Sequence, residues 1–146
     1  MHGKIPSLFF SKTEADEIVR TIQEVERLTS GEIRVHLLRG KGDDLIAEGR
    51  KIFEKLGMTA TQEKNGVLFL LDVKQHRFAI LGDSGIYREV GRDFWQEIRD
   101  EMEAYFKEKR FVQGLQAGIR RCGEKLKEYF PASERNLNEL PDELSS

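Results

Sequence analysis

The stretch from Asn65 to Gly85 constrains the fold of this chain most, because it combines two strand patterns with a tight reversal between them. Residues 67–73 form an almost unbroken apolar run, which is typical of a strand covered on both faces. A shorter apolar run at 78–81 follows the polar turn 74–76. The pattern predicts a β-hairpin, and antiparallel pairing brings the polar outer ends of its two strands to one edge of the sheet.

The segment before the hairpin predicts a helix followed by a strand. Ser11 and Glu14 match the S-x-x-E capping box, and apolar residues then recur at helical spacing until about Leu28. From Glu32 to Leu38 polar and apolar residues alternate, which predicts a strand with one poorly covered face, at or near a sheet edge.

A second helix is predicted between this strand and the hairpin. Its apolar stripe runs over 44–56, Asp43 or Asp44 can cap its start, and Gly57 ends it. The order strand, helix, strand is a βαβ unit, so the two strands should be parallel.

Two more helical patterns follow the hairpin. Residues 86–90 predict a short first turn, 94–106 a longer amphipathic helix, and 112–130 a last helix. Because every apolar helical stripe must find an apolar sheet face, we expect an α/β fold, a single-domain α/β/α sandwich in which helices flank a small mixed sheet on both faces. Residues 1–131 should form this domain, and 132–146 a polar, mildly acidic C-terminal tail.

Charge and composition exclude several classes of protein. Lys and Arg number 24 against 26 Asp and Glu, without the basic excess that is typical of nucleic-acid binding. No apolar run approaches the ~18 residues of a membrane span, and none resembles a signal peptide, so a cytoplasmic protein is expected. Cys122 lies on an apolar helical stripe, which predicts a buried structural thiol.

The familiar catalytic motifs are absent from the sequence. There is no GxSxG, HExxH, P-loop or strand-linked GxGxxG. No histidine lies near Ser30 or Ser84 in sequence to act as a base for either hydroxyl. His2, His36 and His76 are isolated, which disfavours a zinc site. His36 on an open strand face and His76 in a turn are expected to be solvated side chains. Catalytic residues therefore remain unknown.

The polar residues at the amino-terminal end of the predicted sheet suggest a metal site. Glu32 begins the first strand, Asn65 precedes the second, and Asp83 and Ser84 follow the hairpin. Carboxylate, amide and hydroxyl oxygens are the ligands that Ca²⁺ and Mg²⁺ prefer, so these four residues are the candidate metal ligands. The alternative is that Asp83 and Ser84 only cap the next helix, Asn65 belongs to a turn and Glu32 is an ordinary exposed acid.

A second acidic group is predicted at the opposite edge of the sheet. Asp43, Asp44 and Asp72 would lie at the carboxyl ends of the parallel strands, where open α/β sheets often bind ligands. The helix-capping role of the first two and the basic residues that follow Asp72 weigh against this site.

Several segments, in this order and spacing, resemble the TPM domain family. They are Thr29-Ser30-Gly31-Glu32-Ile33, Asn65-Gly66-Val67-Leu68, Gly82-Asp83-Ser84-Gly85-Ile86 and Phe111-Val112-Gln113-Gly114-Leu115. The stretch 138–144 is similar to the tail of a soluble bacterial subgroup. The resemblance implies an α/β/α sandwich, and its motifs include Glu32, Asn65 and Asp83. Members of the family are described as acid phosphatases, as proteins that bind Ca²⁺ or other divalent ions, or as accessory subunits.

Two hypotheses about function follow. The first is a small TPM domain that binds a divalent cation, Ca²⁺ or Mg²⁺, at the acidic edge and has weak phosphatase activity on a phosphoester substrate. The second is a non-enzymatic protein-interaction module whose tail, around Leu140 and Pro141, contacts a protein partner or a second copy in a homo-oligomer.

Overall fold

A mixed three-stranded sheet forms the centre of the protein. The computed structural model describes residues 10–40 and 43–132. The strands are β1 (Glu32–Leu38), β2 (Gly66–Asp72) and β3 (Arg77–Gly82), in the order β1-β2-β3. β1 is parallel to β2, and β3 is antiparallel to β2. The predicted parallel strand pair and hairpin are therefore confirmed.

Within the described ranges, four helices surround the sheet. They are α1 (Lys12–Glu26), α2 (Leu45–Lys55), α3 (Ser84–Lys107) and α4 (Phe111–Tyr129). A 3₁₀ turn at Met58–Ala60, which the sequence did not indicate, follows α2.

The predicted short turn and longer helix after the hairpin are two parts of α3. They are joined at Gly91, which has φ 77° and ψ 171°. Only glycine adopts this conformation readily, which explains why the helical periodicity is interrupted there.

Helices cover both faces of the sheet. One face packs against α1, α3 and α4 in the main core, and its sheet residues are Ile33, Val35, Leu37, Val67, Phe69, Leu71, Phe78 and Ile80. The opposite face of β2 and β3 packs against α2 and the 3₁₀ turn through Leu68, Leu70, Ala79 and Leu81. The predicted α/β/α sandwich is confirmed.

The polar face of β1 differs from the prediction. β1 does lie at the edge of the described sheet. However, Arg34 is only 6 % exposed, Glu32 is buried and His36 is partly buried, so the prediction of a poorly covered face is wrong. Alternation tells which face of a strand is polar, but it does not tell what packs over that face.

The end of α4 is joined to the start of β1. Thr29 is fully buried, and its hydroxyl donates to the Leu126 carbonyl at 3.0 Å while it accepts from the Gly31 N–H at 3.0 Å. The described chain ends nearby at Ala132, whose N–H donates to the Leu28 carbonyl at 3.3 Å. The domain boundary at residue 131 stays a prediction, because most of the predicted tail lies outside the described residues.

Two predictions from composition concern the single cysteine and the absence of a membrane span. Cys122 is buried as expected, and burial raises the pKa of its thiol, so the thiol is unreactive. None of the helices in the described ranges is long and apolar enough to cross a membrane.

Candidate functional site

The amino-terminal edge of the sheet brings three chain segments together. Glu32 of β1 lies opposite Gly66 of β2 in the parallel register. On the other side of β2, the Asp83 N–H donates to the Gly66 carbonyl at 2.9 Å. Gly66 therefore lies between Glu32 and Asp83 in one row across the sheet.

Glu32 and Asp83 occupy the same face of the sheet. A Cβ built on Gly66 would meet Met58 and Phe53 at 3.5 Å, so this row faces the α2 side. The two acidic residues lie two strand spacings apart, about 10 Å between Cα atoms. Gly66 lies between them, and the side chains of Met58 and Phe53 approach this glycine. Glu32 is only 1 % exposed, so the alternative that it is an ordinary exposed acid is wrong.

Asp83 is the N-cap residue of α3. Its Oδ1 accepts from the Ser84 N–H at 2.7 Å, which is the capping role considered from the sequence. Its other oxygen, Oδ2, is shielded from water and has no hydrogen-bond donor among the described residues. Ser84 is exposed and begins the helix, so it is not itself the cap.

A backbone carbonyl of the loop before β2 accepts hydrogen bonds from the next two amides at the start of α3. The N–H groups of Gly85 and Ile86 donate to the Lys64 carbonyl at 2.7 and 3.2 Å. The contact requires glycine, because a Cβ on Gly85 would lie 2.2 Å from the Glu63 carbonyl oxygen. This contact fixes the loop before β2 against the row that contains Asp83.

Asn65 and Thr61 are buried polar residues of the same loop. Asn65 donates from Nδ2 to the Ser30 hydroxyl at 3.1 Å, which ties the start of β2 to the start of β1. Thr61 is 1 % exposed, and its hydroxyl has no partner in the described part of the chain. Of the four candidate ligands, Glu32 and Asp83 thus share a row, Asn65 joins two strand ends, and Ser84 lies just beyond on the surface.

A buried acid that the sequence analysis missed lies beside β1. Glu26, the last residue of α1, accepts from the Ile33 N–H through Oε2 at 2.7 Å. The acid has a structural role, since it binds an N–H of the edge strand. In sequence it looks like one more charged residue of a helix, and only the packing of α1 beside β1 reveals it.

Asp72 at the opposite edge is a structural residue. Its carboxylate accepts from the N–H groups of Gly40, Lys74 and Gln75 at 3.1 to 3.2 Å and from Arg77 Nε at 3.0 Å. Burial opposes ionisation of this carboxyl, but these hydrogen bonds prevail and lower its pKa.

The other two acids of this group lie in a helix cap and in a turn. Asp44 caps α2 by accepting from the Ala47 N–H at 3.0 Å, and the Asp43 carbonyl accepts from Arg77. The second acidic group predicted from the sequence is therefore a set of turns and caps.

His36 is not the solvated side chain that the sequence suggested. Burial, followed by the nearby charges of Arg34 and Lys55, lowers its pKa to about 4. The imidazole is therefore neutral at pH 7. In the described ranges no three His, Cys, Asp or Glu side chains are close enough to hold a metal ion together. A metal site at the row would need amide, hydroxyl or backbone oxygens besides its two carboxylates.

Comparisons with known proteins identify the family. The sequence model of the TPM domain family matches residues 6–125. The chain belongs to the TPM domain family. No protein with a curated description matches it.

Solved structures support this assignment. The BA42 protein from the psychrophilic bacterium Bizionia argentinensis is 38 % identical to this TPM domain, with a TM-score of 0.86 over 92 % of this chain and 93 % of that chain. The N-terminal domain of a P. gingivalis protein is 20 % identical, with a TM-score of 0.65 over 84 % and 79 %. An N-terminal domain from Corynebacterium glutamicum is 13 % identical, with a TM-score of 0.64 over 89 % and 81 %. The last two share the fold.

Proposed function

We propose that this TPM domain binds a divalent cation, Ca²⁺ or Mg²⁺, at the amino-terminal edge of its sheet. The observation that carries the proposal is the row in which Glu32 and Asp83 flank the side-chain-free position of Gly66. Two carboxylates in one row of the same sheet face repel each other and attract a small hard cation.

The unused carboxylate oxygen of Asp83 supports this proposal. Oδ1 caps α3, whereas Oδ2 is shielded and has no donor among the described residues. A buried carboxylate oxygen without a donor is costly, and a cation is one group that offsets this cost. Asn65 and Ser84 would supply an amide and a hydroxyl oxygen to the same ion.

The start of α3 is one electrostatic argument against a cation, and the buried Arg34, on the same face of β1 as Glu32, is another. A helix N-terminus carries partial positive charge, and its effect on a nearby ion is about 0.3 to 1 kcal/mol. Here the Lys64 carbonyl accepts from two of the first amides, Gly85 and Ile86, which reduces that charge. The negative charge of two carboxylates outweighs the positive charge that remains at the helix N-terminus.

Hydrolysis of phosphate esters would depend on the same ion. A bound divalent ion supplies positive charge that neutralises a phosphate and lowers the pKa of a bound water. Glu32 and Asp83 would hold the ion, and without it their charges would repel the substrate. Phosphatase activity is therefore proposed only as a consequence of cation binding.

The test is a titration of the ¹⁵N-labelled protein with Ca²⁺ and then Mg²⁺, followed by NMR. We expect saturable shifts of the amide signals of Glu32, Gly66 and Asp83. Asp83→Asn should abolish them, and it keeps α3 capped because asparagine is an equally good N-cap. Asp44→Asn makes the same change at the cap of α2 and should bind like the wild type.

The outcomes separate the two parts of the proposal. Shifts that persist in Asp83→Asn, or no shifts at all, would remove the cation site. Hydrolysis of p-nitrophenyl phosphate, measured with and without the cation, tests the enzymatic part. Equal rates for the wild type and Asp83→Asn would show that this edge is not a phosphatase site.

A further inference from the structure

A cavity of about 700 Å³ lies at the hairpin-turn end of the sheet, opposite the row of Glu32 and Asp83. Its walls come from the end of β2, the turn between β2 and β3, the second half of α3 and the link to α4. We call it the hairpin cavity. It is the larger of two adjoining cavities that form a groove beside β3 and share Gln96 and Arg99. Its volume is typical of small-molecule sites, and open α/β sheets often bind ligands at the carboxyl ends of their parallel strands.

Three phenylalanine rings form the apolar part of the hairpin cavity. Phe78 and Phe106 pack edge to face with 4.9 Å between their ring centroids, and the centroid of Phe106 lies 5.6 Å from that of Phe111. All three rings are partly buried and pack against the main core. Leu71 and Val73, at the end of β2, complete this apolar part. Because aromatic rings prefer edge-to-face and offset contacts with one another, these walls favour a flat aromatic ligand.

The rim of the hairpin cavity carries more positive than negative charge. Its cationic side chains are Arg77, Arg99, Lys107 and Lys109, and its acidic side chains are Asp72 and Glu103. The side chain of Asp72 is fully buried and binds Arg77 Nε at 3.0 Å, while Glu103 binds Lys107 at 3.2 Å. Each acid is therefore matched by one cation of the rim.

Arg99 and Lys109 are the two cations that remain. Neither has a carboxylate partner among the residues that the structure describes, and Arg99 donates instead to the side-chain oxygen of Gln96 at 2.8 Å. Both side chains are exposed, so they can turn toward a bound molecule. Guanidinium and ammonium groups form strong hydrogen bonds with carboxylates and phosphates. The rim is thus complementary to an acidic group.

Two residues that line the hairpin cavity have a left-handed backbone conformation. Lys109 has φ 61° and His76 has φ 56°. The Lys109 N–H donates to the Phe106 carbonyl at 2.9 Å, and the Arg110 N–H donates to the Tyr105 carbonyl at 3.0 Å. This is a common helix ending in which glycine usually occupies the left-handed position.

Side chains at these two positions reduce stability relative to glycine. Lys109 and His76 belong to different turns, and the hairpin cavity is what they share. The third non-glycine residue of this kind in the described ranges, Lys64, lies in the loop before β2 and outside the cavity. Costly backbone conformations are often found at ligand sites, so this coincidence points to a binding role for the cavity.

We propose that the hairpin cavity binds a small aromatic anion. Its ring packs against Phe78, Phe106 and Phe111, and its acidic group faces Arg99 and Lys109. The paired acids Asp72 and Glu103 stay with their own cations. This site is separate from the cation site, which lies at the other end of the strands.

NMR titration of the ¹⁵N-labelled protein with 2-naphthoate tests the site. We expect saturable shifts of the amide signals of Arg99 and Lys109, and intermolecular NOEs between the naphthalene protons and the rings of Phe78 and Phe106. The uncharged analogue 2-naphthamide should bind about tenfold more weakly, because it lacks the charge-assisted hydrogen bonds. Octanoate, an anion without a ring, should also bind more weakly than 2-naphthoate.

Lys109→Gly separates binding from folding. Glycine suits the left-handed position, so the urea midpoint should rise. The affinity for 2-naphthoate should fall about fivefold, whereas that for 2-naphthamide should stay the same. A merely structural role of Lys109 would change both affinities alike. Lys64→Gly is the matched control, because it makes the same change of charge at a left-handed position outside the cavity, and it should leave both affinities unchanged.

Four results would overturn the proposal. They are the absence of saturable shifts, NOEs to another surface, equal affinity for 2-naphthoate and 2-naphthamide, and octanoate binding as tightly as 2-naphthoate. Equal loss of affinity in Lys109→Gly and Lys64→Gly would also contradict it. Glu32 and Asp83 are intact in all of these proteins, so failure here does not affect the cation site.

Discussion

At the scale of single residues, Asp72 shows how a buried charge holds a turn. Its side chain is fully buried and accepts three backbone N–H groups and the Arg77 guanidinium. We predict that Asp72→Asn lowers the free energy of unfolding by about 2 to 3 kcal/mol. The substitution removes hydrogen bonds to a charged group, and it places an amide NH₂ where the carboxylate oxygens face only N–H donors. Urea denaturation at neutral pH measures the loss. The exposed Asp93→Asn should change stability by no more than about 0.5 kcal/mol.

The pH dependence of this effect follows from the lowered pKa of Asp72. A carboxyl whose folded pKa is depressed stabilises the fold above its ordinary value of 3.8, and this contribution is lost as the pH falls through the folded value. The difference in stability between the wild type and Asp72→Asn should therefore shrink on acidification. A difference that stays constant down to the acid transition would contradict this account.

Burial of His36 should make the stability of the fold depend on pH in a second, higher pH range. In the unfolded chain this imidazole binds a proton below about pH 6.5. Burial, with Arg34 and Lys55, lowers the folded pKa to about 4. Between these values the unfolded state binds more protons, so stability should fall as the pH falls, by at most about 1.4 kcal/mol per pH unit.

Two measurements check the prediction for His36. The NMR titration of its Hε1 signal should give a pKa near 4. His36→Gln should flatten the stability profile between pH 6.5 and 4 when unfolding is followed at several pH values. An imidazole that titrates near 6.5 in the folded protein would show that burial does not act as described.

At the scale of elements, the contact between the loop before β2 and the start of α3 rests on Gly85. A Cβ at this position would meet backbone atoms, 2.2 Å from the Glu63 oxygen and 2.6 Å from the Lys64 oxygen, and backbone cannot rotate away. We predict that Gly85→Ala costs at least about 2 kcal/mol in thermal unfolding. Gly66→Ala, whose Cβ has ordinary contacts at 3.5 Å, is the control and should change stability by about 0.5 kcal/mol or less. Equal effects of the two changes would contradict this account.

The elements themselves could be predicted well from the sequence. Ser11 and Glu14 form the capping box expected at the start of α1, with both of its hydrogen bonds present. β1 has the predicted bounds. Each end of the two hairpin strands, β2 and β3, lies within one residue of its predicted position. Local patterns determine these features, because cap chemistry and hydrophobic periodicity act over a few residues.

The environment of polar residues could not be predicted in the same way. Glu32 and His36 looked exposed in sequence, and both are covered because other parts of the chain pack over β1. Asp72 looked like a possible ligand, but its carboxylate accepts from Lys74, Gln75 and Arg77 just after it and from the distant Gly40. Such environments depend on tertiary packing, which a single strand pattern does not encode.

At the scale of the whole molecule, the fold places two different surfaces on one small sheet. The amino-terminal edge carries the row of Glu32 and Asp83, and the side of β3 that has no neighbouring strand among the described residues carries a groove with charged and apolar walls. Both depend on the antiparallel return of β3, which brings Asp83 back to Gly66 and leaves β3 at the border of the described sheet. The hairpin that dominates the sequence is thus also the element that organises both candidate sites.

The central claim is that Glu32 and Asp83 together bind one divalent cation. Isothermal titration calorimetry with Ca²⁺ measures this most directly on the wild type, Glu32→Gln, Asp83→Asn and the control Asp44→Asn. We predict one ion per chain for the wild type and for Asp44→Asn, and an affinity reduced at least tenfold, about 1.4 kcal/mol, in each of the other two variants. No saturable heat with the wild type, or equal affinity in all four proteins, would contradict the claim.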